Sequence, residues 1–149
     1  MDLISAMEVS ASGLSAQRTR LNIIAQNLAN AQTTRTAAGG PYRRQITIFK
    51  AVPFVAHLKR AMDGPDYQAG RDPRRGVLVS SIEGDPSPFK KVYDPTHPDA
   101  DKAGYVSYPN VNVVVEMTNL INASRSYEAN VAVVSASKNM ALKALEIAR

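Results

Sequence analysis

Every one of the nine prolines falls between Pro41 and Pro109, and seven of the eight glycines fall between Gly39 and Gly104. Proline removes a backbone donor and clashes within a helix, and glycine weakens helices through backbone entropy, so regular helices are confined to the two ends. The chain therefore divides into an N-terminal segment, 1–34, an interrupted middle, 35–110, and a C-terminal segment, 111–149. The two terminal segments are expected to act together as one helical assembly domain interrupted by the middle. The fold class predicted is mainly α: long N- and C-terminal helices forming an antiparallel coiled-coil-like hairpin, with a small irregular β-rich middle region.

Both ends carry heptads. In the first segment Met7, Leu14, Leu21 and Leu28 recur at intervals of seven, with Leu3 and Ile24 at d-type positions and the polar Ser10 and Gln17 between them. The C-terminal stretch from Val111 to Arg149 contains neither Pro nor Gly. One stripe there runs Leu120, Tyr127, Val134, Ala141 and Ala148, and beside it run Met117, Ser124, Val131, Lys138 and Leu145. A further row, Val133, Met140 and Ile147, lies on another side, so this helix is apolar on more than one face and needs more than one neighbour. At about 1.5 Å per residue it would be about 55 Å long, too long to bury on an ordinary domain. The expected antiparallel pairing sets Leu28 near Met117 or Leu120 and Leu3 near Leu145. The row Val133, Met140 and Ile147 is left for a neighbouring subunit.

In the middle the period changes to two. Tyr42 to Phe49 reads as a strand, Val77 to Ile82 as a second and Phe89 to Tyr93 as a weaker third. Asp63-Gly64-Pro65 and Arg71-Asp72-Pro73-Arg74-Arg75-Gly76 carry turn chemistry, and Asp94 to Asp101 is a loop because it holds two prolines. Ala51 to Met62 fits neither pattern. Asn110 or Asn112 can cap the final helix.

The formal charge is +5 and the basic excess sits in the middle. Arg43-Arg44, Lys59-Arg60, Arg74-Arg75 and Lys90-Lys91 give an alternative reading, a small basic nucleic-acid-binding protein with a helical dimerisation hairpin. These pairs are interleaved with acids, which favours a solvated surface and a chain that does not bind nucleic acid. Asp94, Asp99 and Asp101 lack calcium-loop spacing and read as an acidic turn. His57 and His97 sit in no metal or hydrolase motif, and no phosphate loop or nucleophile elbow is present, so neither an enzyme nor a cofactor or metal site is expected. The chain has no cysteine. No cleavable signal peptide and no spanning helix is read, so neither processing by signal peptidase nor stable membrane insertion is expected.

One seam between two such long helices is not enough to order them, so the chain is expected to complete its order by packing against other subunits. The motifs then carry a resemblance. Leu14-Ser15-Ala16-Gln17, Asn27-Leu28-Ala29-Asn30-Ala31, Pro41-Tyr42-Arg43-Arg44, Gly104 through Tyr108-Pro109-Asn110-Val111-Asn112, and Ala123-Ser124-Arg125-Ser126-Tyr127-Glu128-Ala129-Asn130, in that order, resemble the flagellar basal-body rod proteins. The Tyr-Pro-Asn-Val-Asn segment and the short middle resemble the C-type proximal rod proteins. The resemblance implies a structural subunit of the hollow drive shaft that crosses the periplasm, exported without a cleavable signal through the flagellar type III apparatus. Implied partners are other copies, other rod proteins and the components at the rod base, export gate and MS-ring junction. The family-motif residues so identified are Asn27, Asn30, Tyr108, Pro109, Asn110 and Asn112.

Overall fold

The computed structural model describes residues 3–37, 39–53 and 75–147, without the side chains at 3–5, 52–53 and 75. The turns read at Asp63-Gly64-Pro65 and over 71–74, the stretch 54–62 and the side chain of Leu3 lie outside the described residues. Among the described residues two long helices flank four strands: α1 (Leu3–Ala29), β1 (Gln45–Pro53), β2 (Arg75–Gly84), β3 (Lys90–Tyr93), β4 (Tyr105–Tyr108) and α2 (Val113–Ile147). Among the described residues the architecture is thus mixed, two helices with two small antiparallel sheets, where the sequence predicts a mainly helical chain with a small irregular β-rich middle.

Helix α1 stops at Ala29, as the run of Asn, Gln and Thr that follows predicts, since these side chains compete for backbone groups. Helix α2 starts from Asn112, whose Oδ1 accepts the amides of Val114 (3.0 Å) and Val115 (3.3 Å). Of the two cap candidates Asn112 takes the role, and Asn110 is used elsewhere. A polar cap matters here because three consecutive valines open the helix and propagate it poorly.

Strands β1 and β2 pair antiparallel from Gln45 opposite Gly84 to Pro53 opposite Arg75. Ile48 faces Ser81 and Phe49 faces Val79, so Ser80 is the extra residue of a bulge. The first strand begins three residues later than the sequence suggests, because Tyr42, Arg43 and Arg44 leave the ladder to make side-chain contacts. Gly76 lies in β2 rather than in a turn. The second sheet pairs β3 with β4, Lys90 opposite Tyr108 and Tyr93 opposite Tyr105. Strand β4 is unforeseen, although the alternation Tyr105-Val106-Ser107-Tyr108 carries it: Val106 is fully buried and Tyr105 packs edge-on against Tyr93 at 5.3 Å. The turn before it requires glycine, since Gly104 has φ 81° and a Cβ there would stand 2.9 Å from the Tyr93 ring.

The β1–β2 sheet runs lengthwise along α1. At one end the Gln45 amide meets Asn27, and at the other the Val77 amide donates to Ser12 Oγ (3.1 Å). Fifteen helical steps rise about 22 Å, which seven strand steps match at about 3.3 Å each. With α2 on another side, α1 is covered on two faces, which accounts for its small, weakly charged side chains. Ala16, Ile23 and Ile24 are buried between these layers.

Along α2 the buried and half-buried residues are Glu116, Asn119, Leu120, Ala123, Ser124, Tyr127, Asn130, Val134, Ser137 and Ala141. The stripe Leu120, Tyr127, Val134, Ala141 is the one the heptads predict. Its companion is displaced by one residue: Glu116, Ala123, Asn130 and Ser137 take the places expected of Met117, Ser124, Val131 and Lys138, of which only Ser124 stays half-buried. Small side chains win because the helices come very close. A Cβ on Gly13 would stand 3.0 Å from Asn130 Nδ2, so Gly13, which only weakens an isolated helix, is where α2 approaches.

Candidate functional site: a buried polar junction and an uncovered helix face

Two features stand out, and they sit on the same helix. The first is a polar junction at the end of α1 and the start of α2. Asn27 is 1% exposed and uses its whole hydrogen-bonding capacity. Its Nδ2 donates to the Gln45 carbonyl (2.8 Å) and to Glu116 Oε2 (3.1 Å). Its Oδ1 accepts the Gln45 amide (2.9 Å) and the Tyr42 hydroxyl (3.0 Å). One amide side chain therefore binds α1 to β1, to the strand's lead-in and to α2.

Glu116 is equally buried, and burying a carboxylate is costly unless it is paired and hydrogen-bonded. Both conditions are met. Arg44 donates to its Oε1 through Nε (3.0 Å) and Nη2 (2.7 Å), and through Nη1 to Asp85 Oδ2 (3.0 Å). The Arg44 amide donates to Asn110 Oδ1 (2.9 Å), and Asn110 Nδ2 reaches the carbonyls of Asp85 and Ser87, each at 3.2 Å. Burial by itself would lower the Arg44 guanidinium pKa, but the hydrogen bonds and charges of Glu116 and Asp85 outweigh it and raise it. Hydrogen bonds from the Ser87 hydroxyl and amide, and then from Arg44, pull Asp85 down to about 2. Tyr42 is pushed up by burial and by the charge of Glu116.

Arg43, beside this network, donates to the carbonyls of Asp85 (2.7 Å) and Ser87 (3.3 Å) and lies 4.3 Å over the Phe89 ring. The Arg43-Arg44 pair is thus engaged within the molecule rather than presented to phosphates. In the acidic turn, Asp94 accepts from Thr96, Asp99 from Thr34, and Asp101 from the amides of Ala103 and Tyr105.

The second feature is apolar. The described residues bury five hydrophobic side chains, Ala16, Ile23, Ile24, Val106 and Ala123, and leave nineteen large ones exposed, eleven of them on α2. Val114 is 73% exposed, Met117 52% and Ile147 87%. Of the predicted interface residues, Ile24 is buried, and Met7, Leu14, Leu21, Leu28, Leu120, Tyr127 and Val134 are half-buried; Met117, Val131, Leu145, Val133, Met140 and Ile147 are exposed. No helix among the described residues is long and apolar enough to cross a membrane.

Comparison with known proteins bears on both features. Residues 7–35 match the family model described as flagella basal body rod protein, and residues 102–147 match that of the flagellar basal body rod FlgEFG protein C-terminal region. The flagellar basal-body rod protein FlgC of Borreliella burgdorferi is 48% identical, across 99% of this chain and 98% of its own length. FlgC of Bacillus subtilis is 44% identical with both chains fully covered, and FlgC of Salmonella typhimurium 40% identical over 99% and 98%. This chain belongs to the FlgC family of flagellar basal-body rod proteins. The family is one of structural rod proteins, not of enzymes.

Within this FlgC chain the two matched segments supply Asn27, Asn110 and Glu116 to the junction, and the middle supplies Tyr42, Arg44 and Asp85. Of the motif residues, Asn27 and Asn110 are junction members and Asn112 is the cap. Asn30 closes the end of α1, its Nδ2 donating to the Gln26 carbonyl (2.9 Å). Tyr108 packs edge-on to His97 at 6.3 Å, and Pro109 is buried beside the junction. Sequence reasoning passed over Glu116 and Asp85, and took Arg44 as one half of a basic pair. One signal for Glu116 was available: it is the only charged residue between Lys102 and Arg125.

Proposed function

We propose that this FlgC-family chain is a subunit of the proximal rod that assembles with other copies and with other rod proteins through its terminal helices. In this reading segments 1–34 and 111–149 form one assembly unit, an antiparallel coiled-coil-like hairpin, and 35–110 is a middle that braces its base. Two contacts support the antiparallel sense: Asn27 meets Glu116, and two heptads earlier on α1 Gly13 meets Asn130, two heptads later on α2. The rod so built is the hollow shaft crossing the periplasm, with the rod-base, export-gate and MS-ring junction components as its lower neighbours.

The observation that carries the proposal is the apolar outer surface of α2. Each Val, Leu, Ile or Met side chain is worth about 1.5 to 3 kcal/mol when buried, and eleven such groups of α2 are left exposed among the described residues. Val131, Val133, Met140, Leu145 and Ile147 are spread round the helix, so more than one neighbour is needed to cover them. Met140→Asp and Val133→Asp, introduced in place of the wild-type copy, test this directly. The expected outcome is a chain with unchanged helicity in isolation, absent from the basal body, in a non-motile cell. Normal rods from both variants would overturn the assembly role of this face.

A further inference from the structure

The seam between α1 and α2 poses a question of register. Its inward residues on α2 recur by sevens, Leu120, Tyr127, Val134 and Ala141 in one row and Glu116, Ala123, Asn130 and Ser137 in the other, and the half-buried Met7, Leu14, Leu21 and Leu28 recur by sevens on α1. A slip of one heptad sets row against row again, so the repeat alone does not fix the register. A helix pair that must present its outer face to neighbours at a fixed height cannot tolerate that slip. Three groups break the repetition. Asn27 and Glu116 meet across the seam, and Arg44, from the lead-in to β1, closes on the same carboxylate.

We propose that Asn27, Arg44 and Glu116 act as positioning residues, a register key that fixes where α2 sits along α1 and where the β1–β2 sheet sits on both. The inference rests on the hairpin reading above and deepens it. The geometry carries it in two steps. First, Glu116 takes donors from two separate elements, Asn27 Nδ2 at 3.1 Å from α1 and Arg44 at 2.7 and 3.0 Å from the strand lead-in, so its position is triangulated rather than merely compensated. Second, a slip by one heptad would bring Ala123 or Pro109 to the place of Glu116. Asn27 Nδ2 would then lose its acceptor on α2 and Arg44 would lose the buried carboxylate, while a carboxylate that is 1% exposed would have to find new donors. A wrong register is therefore penalised at both ends of the same bond, the behaviour of a lone buried polar residue in a coiled-coil seam.

The test uses engineered cysteine pairs in the full chain, which has no cysteine of its own. Gly13→Cys with Asn130→Cys reports the native register; Gly13→Cys with Ala123→Cys, or with Ser137→Cys, reports a slip of one heptad either way. In the otherwise unchanged protein only the first pair should cross-link efficiently within one chain. If it does not, the hairpin reading itself fails. In the background Glu116→Leu with Arg44→Leu, whose apolar side chains leave no buried charge, helicity should persist, the native cross-link should fall at least fivefold and a slipped pair should rise. Glu116→Gln, whose single oxygen can accept from Asn27 or from Arg44 but not from both, should give a pattern between the native one and that of the doubly apolar background. Dominant native cross-linking in the doubly apolar background overturns the register key and leaves the hairpin standing. Should that background lose its helices, Asn27→Leu decides, because it leaves the Arg44–Glu116 ion pair in place: slipped products support the key, and an unchanged pattern overturns it.

Discussion

Two sides of α2 solve opposite problems. Inward at Glu116 the helix buries a charge and a ring of amides, every one of them bonded within the chain. Outward, from Val113 to Ile147, it exposes valines, methionines, leucines and isoleucines that nothing among the described residues covers. Polar groups become buried only where the partner is already present, since an unpaired one is heavily penalised. Apolar groups remain exposed where the partner is another molecule, because the penalty is modest per group and is recovered on assembly. The contrast teaches that the chain stores its internal specificity in polar contacts and its capacity to assemble in apolar ones, the reverse of an ordinary globular domain.

The largest way to break the comparison is Arg44→Leu. It leaves Glu116 as an unpaired buried carboxylate and should cost about 3 to 5 kcal/mol, read as a lowered urea midpoint of the purified chain. Asn27→Ala should cost less, about 1 to 3 kcal/mol, since it strips hydrogen bonds from the Gln45 backbone and Glu116 but leaves the ion pair. Acid acts on the same network. The folded pKa of Asp85, about 2, lies below its ordinary 3.8, so its stabilising contribution is complete above 3.8 and is lost as the pH falls through 2. Asp85→Asn should flatten that part of the stability profile. Smallest in the isolated chain is Val131→Asp on the outer face, within about 0.5 kcal/mol of the parent because the site is solvated. The same change should abolish incorporation into the rod, so the two regions separate cleanly by which assay they move.

The sequence made the helix, middle, helix division legible because Pro and Gly punctuate the backbone directly. It made the stripe from Leu120 to Ala141 legible because those residues keep a heptad. The companion stripe was misread, since Met117, Val131 and Leu145 are apolar and periodic but are directed to the outside. Hydrophobic periodicity reports every buried face, including faces buried by other molecules, and cannot tell which neighbour covers which row. The junction was invisible for another reason. Asn27 and Glu116 lie 89 positions apart, and each is an ordinary helical residue until the fold brings them together. Arg44 looked like half of a surface pair because its partners Asp85 and Glu116 lie 41 and 72 positions away, and only the fold brings them beside it.

Amide hydrogen exchange on the dilute full-length chain tests most directly the claim that the junction holds the subunit and assembly completes it. Slowest exchange is predicted in α1 from 20 to 29 and in α2 from 116 to 123, flanking the Asn27–Glu116 contact. Exchange should be much faster from 131 to 147, which lies beyond the junction and whose outer face has no cover among the described residues. Protection of 131–147 equal to that of 116–123 in the free chain would contradict the account, because the outer half of α2 would then be stable without the neighbours that its apolar surface is held to require.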